Sequence, residues 1–218
     1  MFKSTTWLTL SLLCLSVFSK AQTPWELRED KEGIQIYTRE LPNKKYLEFK
    51  ATTEIEASMH SLIALLKSVD QMSDWMKNFE QNKLLASKDF WHQVSYHEVY
   101  IPILQNRDVV LELKVSKNAS NGEVRIDMLG LPSYLPYQKK KTRIQEMKGY
   151  WVCVPLDEQR IRIEYGMYVD PGSSIPSWLY NMRIKKDPFT TLKNIQAIVK
   201  ESAFKDAYYT ELVEQDNR

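Results

Sequence analysis

Cysteine is scarce in this 218-residue chain, and its scarcity excludes two kinds of stabilisation. One of the two cysteines, Cys14, lies in the N-terminal leader, which leaves Cys153 as the single thiol of the body. A disulfide within the body is therefore excluded, and so is a structural zinc site made of four cysteines. With 6 glycines and 9 prolines, the chain is neither collagen-like nor of low complexity.

An excess of charge of one sign is also lacking. The chain has 30 Lys and Arg against 28 Asp and Glu, and two of the lysines, Lys3 and Lys20, fall within the first 21 residues. Residues 22–218 therefore have no formal net charge. Such a body has no general attraction to nucleic acid or to an acidic membrane surface, so we expect no nucleic-acid partner.

The first 21 residues have the pattern of a secretory signal peptide. Lys3 precedes an apolar stretch from Trp7 to Phe18, and Ser19-Lys20-Ala21 places small residues at the two positions that a signal peptidase reads. We expect cleavage near Ala21 and an exported protein, periplasmic or secreted, with residues 22–218 forming a single domain. Retention of the leader as an N-terminal anchor stays open.

Several segments alternate between apolar and polar residues, as half-buried strands do. One face of residues 47–55 is apolar, and Pro42-Asn43 joins this segment to residues 34–38 as a hairpin. Further strands are predicted at about 81–88, 90–101, 107–117, 122–129, 141–155 and 159–169. Helical spacing predicts a helix over 58–69, with Ser58 as N-cap, and a short helix around 71–78.

The C-terminal third is predicted to be helical. Residues 175–186 form a short helix in this interpretation, and Asp187 caps a long one that has Pro188 in its first turn and runs to roughly Tyr208. Because strands do not alternate with helices along the chain, a doubly wound parallel sheet is disfavoured. The predicted fold class is α+β, a curved antiparallel sheet holding one long C-terminal helix.

Two charged residues lie on the same face of their predicted strands as apolar neighbours do. Glu98 is in phase with Val94 and Tyr96, and Arg107 is in phase with Val109 and the apolar residues that follow it. If those faces point inward, both charges are buried and need a partner or a polar ligand. The alternative is that both lie at strand ends and reach solvent.

The apolar loop Leu129–Tyr137 contains two prolines. It is predicted to cover a pocket or to touch a membrane, and packing onto the core is the alternative. The basic run Lys139-Lys140-Lys141 either binds anionic head groups or forms a solvated entrance to a strand.

Signals for catalysis are weak. The chain has no glycine-rich phosphate loop and no Gly-x-Ser-x-Gly elbow. The odd separation of His92 and His97 places them on opposite faces of one strand, which argues against a shared metal. We therefore predict no catalytic residue, no metal and no cofactor. The only candidates for acid–base chemistry are His92 and Tyr96.

The chain resembles a known family in several short motifs. They are His97-Glu98 followed by Arg107-Asp108, then Ile175–Asn181, Asp187-Pro188-Phe189 and Leu192-Lys193-Asn194-Ile195. In order and spacing they resemble the steroidogenic acute regulatory protein-related lipid transfer (START) domain over about residues 24–210.

The resemblance implies a helix-grip fold with an internal tunnel that holds one lipid or sterol-like molecule. It implies that Glu98 and Arg107 meet in the tunnel and contact the polar group of the ligand. The other expected ligand-binding residues are Tyr96, Tyr100, Leu111, Tyr165, Leu192 and Ile195. The expected lid is the loop Leu129–Tyr137, with Leu131, Pro132, Tyr134 and Leu135, together with the C-terminal helix.

The function that follows is binding, and carriage, of a hydrophobic ligand without chemistry, by a monomer that contacts membranes transiently. Two other functions stay open. One is an enzyme of the same broad fold, resembling an aromatase/cyclase, and the other is an exported module that binds a protein partner.

Overall fold

The structure, a computed structural model, describes residues 23–172 and 175–214. The predicted signal peptide, residues 1–21, lies outside the described residues. The strands are β1 (Glu26–Lys31), β2 (Ile34–Arg39), β3 (Glu48–Glu56), β4 (Phe79–Asp89), β5 (His92–Val99), β6 (Arg107–Lys117), β7 (Val124–Gly130), β8 (Thr142–Arg143), β9 (Glu146–Pro155) and β10 (Arg160–Asp170). The helices are α1 (Met59–Lys67), α2 (Met72–Trp75), α3 (Ser177–Ile198), α4 (Ser202–Lys205) and α5 (Glu211–Glu214).

The strands form one curved sheet in the order β1-β2-β3-β10-β9-β7-β6-β5-β4. Every neighbouring pair in that order is antiparallel, and β8 adds a short parallel pairing to the start of β6. The sheet is not closed, so β1 and β4 are its two edges. The predicted class, α+β with an antiparallel sheet around a long helix, is confirmed.

The predicted strand at 141–155 is divided in the structure. Thr142 and Arg143 pair with the start of β6, whereas residues 146–155 pair with β7 and β10. The chain therefore changes its partner strand at Ile144-Gln145, and a period of two along the sequence does not register such a change. β1 was not predicted, because its sequence Glu-Leu-Arg-Glu-Asp-Lys is mostly exposed and has no apolar alternation.

The capping prediction for α1 is confirmed. The Ser58 hydroxyl oxygen accepts a hydrogen bond from the Ser61 amide at 3.1 Å, which satisfies one of the amides left without a partner at the helix start. The buried face of α1 contains Leu62, Leu65 and Leu66, which belong to the hydrophobic core.

The prediction for the long helix is wrong at both ends. α3 is one continuous helix of 22 residues, with Pro188 inside it, and it ends at Ile198 rather than near Tyr208. Pro188 has no amide to donate to the Ile184 carbonyl, and its ring is buried within the fold. Packing against the sheet thus overrides the local signal for a helix start.

α3 lies against the sheet along a face that the spacing identified correctly. Leu192 and Ile195 are completely buried, and Val199, directly after the helix, is nearly so. The Gln196 side-chain amide donates to Thr53 Oγ1 of β3 at 3.2 Å. The helix is therefore held by the concave face of the sheet, and the space that the two leave between them is the candidate site.

Candidate functional site

A cavity of about 360 Å³ lies between the concave face of the sheet and α3. Its wall on the sheet side contains Phe49, Val109, Met147, Tyr165, Met167 and Val169. Its wall on the helix side contains Leu179, Tyr180, Ile184, Pro188 and Thr191. Because the lining is mainly apolar, it can take up the hydrocarbon part of a ligand at about 25 cal/mol per Å² of apolar surface buried.

The loop between β5 and β6, residues 100–106, borders this cavity. Ile101, Pro102 and Ile103 line it, and the Ile103 side chain is also fully exposed to solvent. Ile103 has a φ of +69°, a left-handed conformation that disfavours a β-branched residue by about 1–2 kcal/mol. A strained, exposed apolar residue at a cavity is a feature that packing alone does not favour.

Exposed apolar residues also lie on the first half of α3. Trp178 and Met182 are 68% and 62% exposed, and the neighbouring Leu179 lines the cavity. The mouth of the cavity is therefore bordered by apolar side chains from the 100–106 loop and from α3.

Arg107 is the most deeply buried charged group of the cavity. It is 1% exposed and lines the cavity from the first position of β6. Its Nε donates to the Pro171 carbonyl at 3.0 Å, and Nη1 donates to the Gln105 carbonyl. Burial lowers the pKa of Arg107 and the nearby Tyr46 raises it, and a guanidinium stays protonated under such shifts.

Glu98 does not lie beside Arg107, and that prediction is wrong. In the β5–β6 register Glu98 is opposite Asp108, whereas Val99 is opposite Arg107, so the two charged side chains leave the hairpin on opposite faces. Glu98 Oε1 accepts from Asn106 Nδ2 at 2.9 Å, and Oε2 pairs with Lys141. Burial alone would raise the pKa of Glu98, but the hydrogen bonds from Lys141 and Asn106 outweigh it and lower that pKa.

The error in the prediction for Glu98 has a physical cause. β5 is buried on both faces, with Val94 at 4% exposure on one face and His97 at 0% on the other. A shared phase with apolar neighbours therefore shows that Glu98 is buried but not towards which side.

The face of the sheet away from the cavity carries a second buried ion pair. Arg143 Nε donates to Asp108 Oδ1 at 3.0 Å and Nη2 to Oδ2 at 2.8 Å, with both side chains 1% exposed. The hydrogen bond and charge of Asp108 raise the pKa of Arg143. Sequence reasoning missed this pair, although Asp108 in a strand of apolar residues signalled a buried carboxylate.

Arg143 also fixes the loop that was predicted as the lid. Its Nη1 donates to the carbonyls of Pro132 at 2.7 Å and Leu135 at 3.1 Å, and Nη2 donates to that of Pro136 at 3.3 Å. Arg143 meets Asp108 on the face away from the cavity. None of the predicted lid residues, Leu131, Pro132, Tyr134 and Leu135, lines the cavity. The loop part of the lid prediction is therefore corrected: residues 101–103 are the loop residues that border the cavity, and α3, the helix part of the prediction, lines it.

Of the eight predicted ligand-binding residues, Arg107 and Tyr165 line the cavity. Tyr165 stacks on Trp151 at 3.8 Å between ring centroids, which holds its ring in place. Leu111, Leu192 and Ile195 belong to the core instead. Tyr96 contacts Lys141 through its hydroxyl at 3.1 Å, and Tyr100 is 43% exposed.

Three polar side chains form a chain beside the cavity, in which Ser95 and His97 are buried and Asn82 is half-buried. Ser95 Oγ lies 2.7 Å from His97 Nε2, and His97 Nδ1 lies 2.8 Å from Asn82 Oδ1. The order serine, histidine, amide resembles that of a nucleophile, its base and an orienting group. Ser95 and His97 are, however, 0% exposed and do not line the cavity, so a substrate in the cavity does not reach them.

The remaining reactive groups lie elsewhere. His92 Nε2 is 2.9 Å from Glu112 Oε1 on the other face of β5, as the odd spacing from His97 predicted. Burial raises the pKa of the Cys153 thiol to about 12. Among residues 23–172 and 175–214, no group of three His, Cys, Asp or Glu side chains is placed to hold a metal ion. Within the same ranges no helix has the length and hydropathy to cross a bilayer.

The fold and the cavity together define an α+β ligand-binding domain in which an antiparallel sheet grips a long helix. A search of protein-family models gives no match. The crystal structure of a STAR-related lipid transfer protein fragment from Xanthomonas axonopodis is 31% identical, covers 81% of this chain and 99% of that one, and superposes with a TM-score of 0.76. The chain therefore belongs to the STAR-related lipid transfer (START) family, as its motifs indicated.

Three further proteins are similar to the chain in sequence or in fold. An uncharacterised protein of Pseudomonas aeruginosa is 28% identical over 197 residues, which are 87% of this chain and 96% of that protein. The phosphatidylcholine transfer protein of Rattus norvegicus is 28% identical over 177 residues, 78% of this chain and 81% of that one. Human StAR-related lipid transfer protein 5, at 14% identity and a TM-score of 0.71, shares the fold.

Proposed function

We propose that the protein binds one lipid or similarly hydrophobic molecule in the cavity and carries it between membranes, without chemical change. The observation that carries this proposal is the apolar cavity itself, walled by the sheet and α3 and bordered by an exposed apolar loop. Membership of a family whose named relatives are lipid transfer proteins supports it.

The proposed path of loading runs between the 100–106 loop and the first half of α3. A ligand enclosed by both walls requires one of them to move before it can enter. The exposed side chains of Ile103, Trp178 and Met182 would enter the apolar layer of a membrane, while Lys185 and Lys186, exposed on the same helix, would meet anionic head groups. This contact would place the mouth against the lipid that is to be taken up.

The absence of catalysis is part of the proposal. The charged groups of the cavity include Arg183 and Asp187, which pair with each other at 3.3 Å. The candidates for acid–base chemistry, His92 and Tyr96, contact Glu112 and Lys141 and do not line the cavity. No observation favours a second function over carriage.

Export is also proposed, on the pattern of residues 1–21 alone. The carrier would then act as a monomer outside the cytoplasm. N-terminal sequencing of the protein from its host, with size-exclusion chromatography, tests both statements. A retained leader or a stable dimer would contradict them.

Two adjacent threonines of α3 provide the test of the cavity. Thr191 lines the cavity and is buried, whereas Thr190 is partly exposed and its hydroxyl donates to the Lys186 carbonyl at 3.1 Å. Thr191→Trp should fill the cavity, and Thr190→Trp is the matched control. Mass spectrometry of solvent extracts of the purified proteins should find a lipid with the wild type and the control, and little or none with Thr191→Trp. Equal lipid content in all three would place the ligand elsewhere.

The membrane contact has a separate test. Trp178→Asp and Met182→Asp should slow transfer of a fluorescent lipid between vesicles while leaving equilibrium binding unchanged, because both side chains are exposed and neither lines the cavity. Leu129→Asp, on an exposed residue of β7 that does not line the cavity, is the control. Unchanged transfer by both mouth variants would refute the docking surface.

A further inference from the structure

Three methionine side chains line the cavity. They are Met76, directly after α2, Met147 of β9 and Met167 of β10, and they are 7%, 4% and 8% exposed. In the β9–β10 register Met147 is opposite Val169 and Met167 is opposite Gly149, so the two methionines lie diagonally on neighbouring strands. Alternate positions of a strand share a face. A lipid chain in the cavity therefore contacts thioether sulfur as well as hydrocarbon.

A phenol lies beside one of these thioethers. Tyr165 is two residues before Met167 on β10, and its hydroxyl donates to Met167 Sδ at 3.9 Å. Tyr165 also lines the cavity, and its stacking on Trp151 holds the ring in place. Burial raises the pKa of Tyr165, so the phenol keeps its proton at neutral pH. A bound molecule thus meets a sulfur lone pair and a proton donor at the same place.

Thioethers have a reaction that hydrocarbon side chains lack. A peroxide oxidises methionine to its sulfoxide, whereas leucine, which has a similar volume, packs equally well without this reactivity. A lipid hydroperoxide is a peroxide with an apolar chain, so an apolar cavity takes it up together with unoxidised lipid. Binding then holds the peroxide next to the sulfur, and a slow bimolecular reaction becomes an intramolecular one.

We propose that the cavity reduces the hydroperoxide group of an oxidised lipid, with the Met167 thioether as reductant and the Tyr165 hydroxyl as proton relay. The sulfur lone pair attacks the terminal oxygen of the hydroperoxide, so an S–O bond forms and the O–O bond breaks. Tyr165 donates its proton to the departing alkoxide and regains one from the oxygen now on sulfur. The products are a lipid alcohol and methionine sulfoxide. Sulfur loses two electrons and the peroxide gains them.

The reaction is stoichiometric, because each thioether reduces a single hydroperoxide. A lipid without this group is carried unchanged. The inference rests on the proposed function, since it requires a lipid in the cavity. A sulfoxide is polar, and a polar group in an apolar wall should weaken the binding of further lipid. Reduction of the sulfoxide by a methionine sulfoxide reductase would restore the cavity.

Two oxidants distinguish delivery through the cavity from oxidation at the surface. The full-length protein is treated with linoleic acid hydroperoxide or with hydrogen peroxide, and peptide mass spectrometry locates each added oxygen. Hydrogen peroxide should oxidise Met182 first, because that side chain is 62% exposed and lies outside the cavity lining. The lipid hydroperoxide should oxidise Met167 about tenfold or more faster than Met182. Met72, which is 5% exposed and does not line the cavity, should stay reduced with both oxidants.

Variants assign the two roles. Met167→Leu keeps the volume of the side chain and removes its sulfur, so the yield of lipid alcohol should fall to what Met76 and Met147 supply. Tyr165→Phe keeps the stacked ring and removes the proton relay, so oxidation of Met167 at saturating hydroperoxide should slow by about tenfold or more. Tyr150→Phe, on a tyrosine of β9 outside the cavity lining, is the matched control and should leave that rate unchanged.

The outcomes separate this inference from the proposed function. If the hydroperoxide displaces a fluorescent fatty acid from the protein but oxidises Met167 no faster than Met182, the reduction is refuted and the carrier stands. Failure of both the fluorescent fatty acid and the hydroperoxide to bind would overturn both. An unchanged saturated rate of Met167 oxidation in Tyr165→Phe would contradict the role of the phenol.

Discussion

The ion pair between Arg143 and Asp108 should be the most sensitive polar contact of the fold. Both side chains are 1% exposed and are joined by two hydrogen bonds of 2.8 and 3.0 Å. Arg143→Met would leave a carboxylate in the interior without its cation, which destabilises a protein by about 3–5 kcal/mol. That is a large share of the roughly 5–15 kcal/mol that stabilises a typical domain.

A double variant separates the two contributions. Asp108→Leu combined with Arg143→Met removes both charges, so the desolvation penalty disappears with them and much of the loss should be recovered. The part not recovered measures the support that Arg143 gives to the carbonyls of Pro132, Leu135 and Pro136. Urea unfolding followed by tryptophan fluorescence gives the free energies of unfolding of the wild type, of Arg143→Met and of the double variant.

An exposed pair provides the scale for comparison. Arg162 and Glu54 are joined at 3.1 Å, but their side chains are 57% and 51% exposed. Arg162→Met should change the free energy of unfolding by at most about 1 kcal/mol. The reasoning fails if Arg143→Met is as mild as Arg162→Met, or if the double variant is no more stable than the single one.

Three further changes have expected outcomes. Burial lowers the pKa of His97 from 6.5 to about 4, so the unfolded chain binds more protons between these values and stability falls as pH falls from 6.5 towards 4, by up to about 3 kcal/mol. His97→Gln should flatten that part of the pH profile of urea unfolding, and an unchanged slope, or an equal effect of His92→Gln, would contradict this cause. Ile103→Asn should raise the thermal midpoint slightly, because asparagine tolerates a φ of +69° better than isoleucine does, and a lower midpoint would show that Ile103 is not strained. Ser58→Ala should destabilise by about 1 kcal/mol through loss of the cap, with the exposed Ser87→Ala as a neutral control in the same thermal scan.

The sequence predicted the sheet better than it predicted the site. Alternation located strands such as β3 because one face lies against the core: Phe49, Ala51 and Ile55 are buried and Glu54 is exposed. β1 has no such face, and its position follows from hydrogen bonding to β2 alone. The alternation of apolar and polar residues therefore contains no signal for β1.

The errors at the site have two causes. Periodicity shows which residues of a strand point the same way, but a strand buried on both faces, such as β5, gives no indication of which face meets the helix. Arg107 and Glu98 were both correctly read as in phase with apolar neighbours, and the register then separated them. The lid was placed in Leu129–Tyr137 because the family resemblance implied it and the loop is apolar, although Arg143, six residues further on, fixes the loop elsewhere.

The error at the long helix arose because a local sequence signal was overridden by tertiary packing. Asp187-Pro188 has the local pattern of a helix start, yet both residues lie within α3. The missing hydrogen bond at Pro188 is offset by burial of the ring against the cavity. Such a balance between local propensity and tertiary packing is decided by residues distant in the sequence, among them Phe49 and Tyr165, and is not visible in a window of ten residues.

The two open edges of the sheet also affect how the protein behaves at high concentration. An unpaired strand offers its backbone groups to a second copy, and a flat edge therefore favours aggregation. β4 departs from regular pairing at three places along β5, and β1 departs once along β2. β1 also exposes Glu26, Asp30 and Lys31, whose charges would be buried by edge-to-edge contact. Irregular pairing and charge thus oppose the growth of the sheet from one molecule into the next, although the sheet does not close into a barrel.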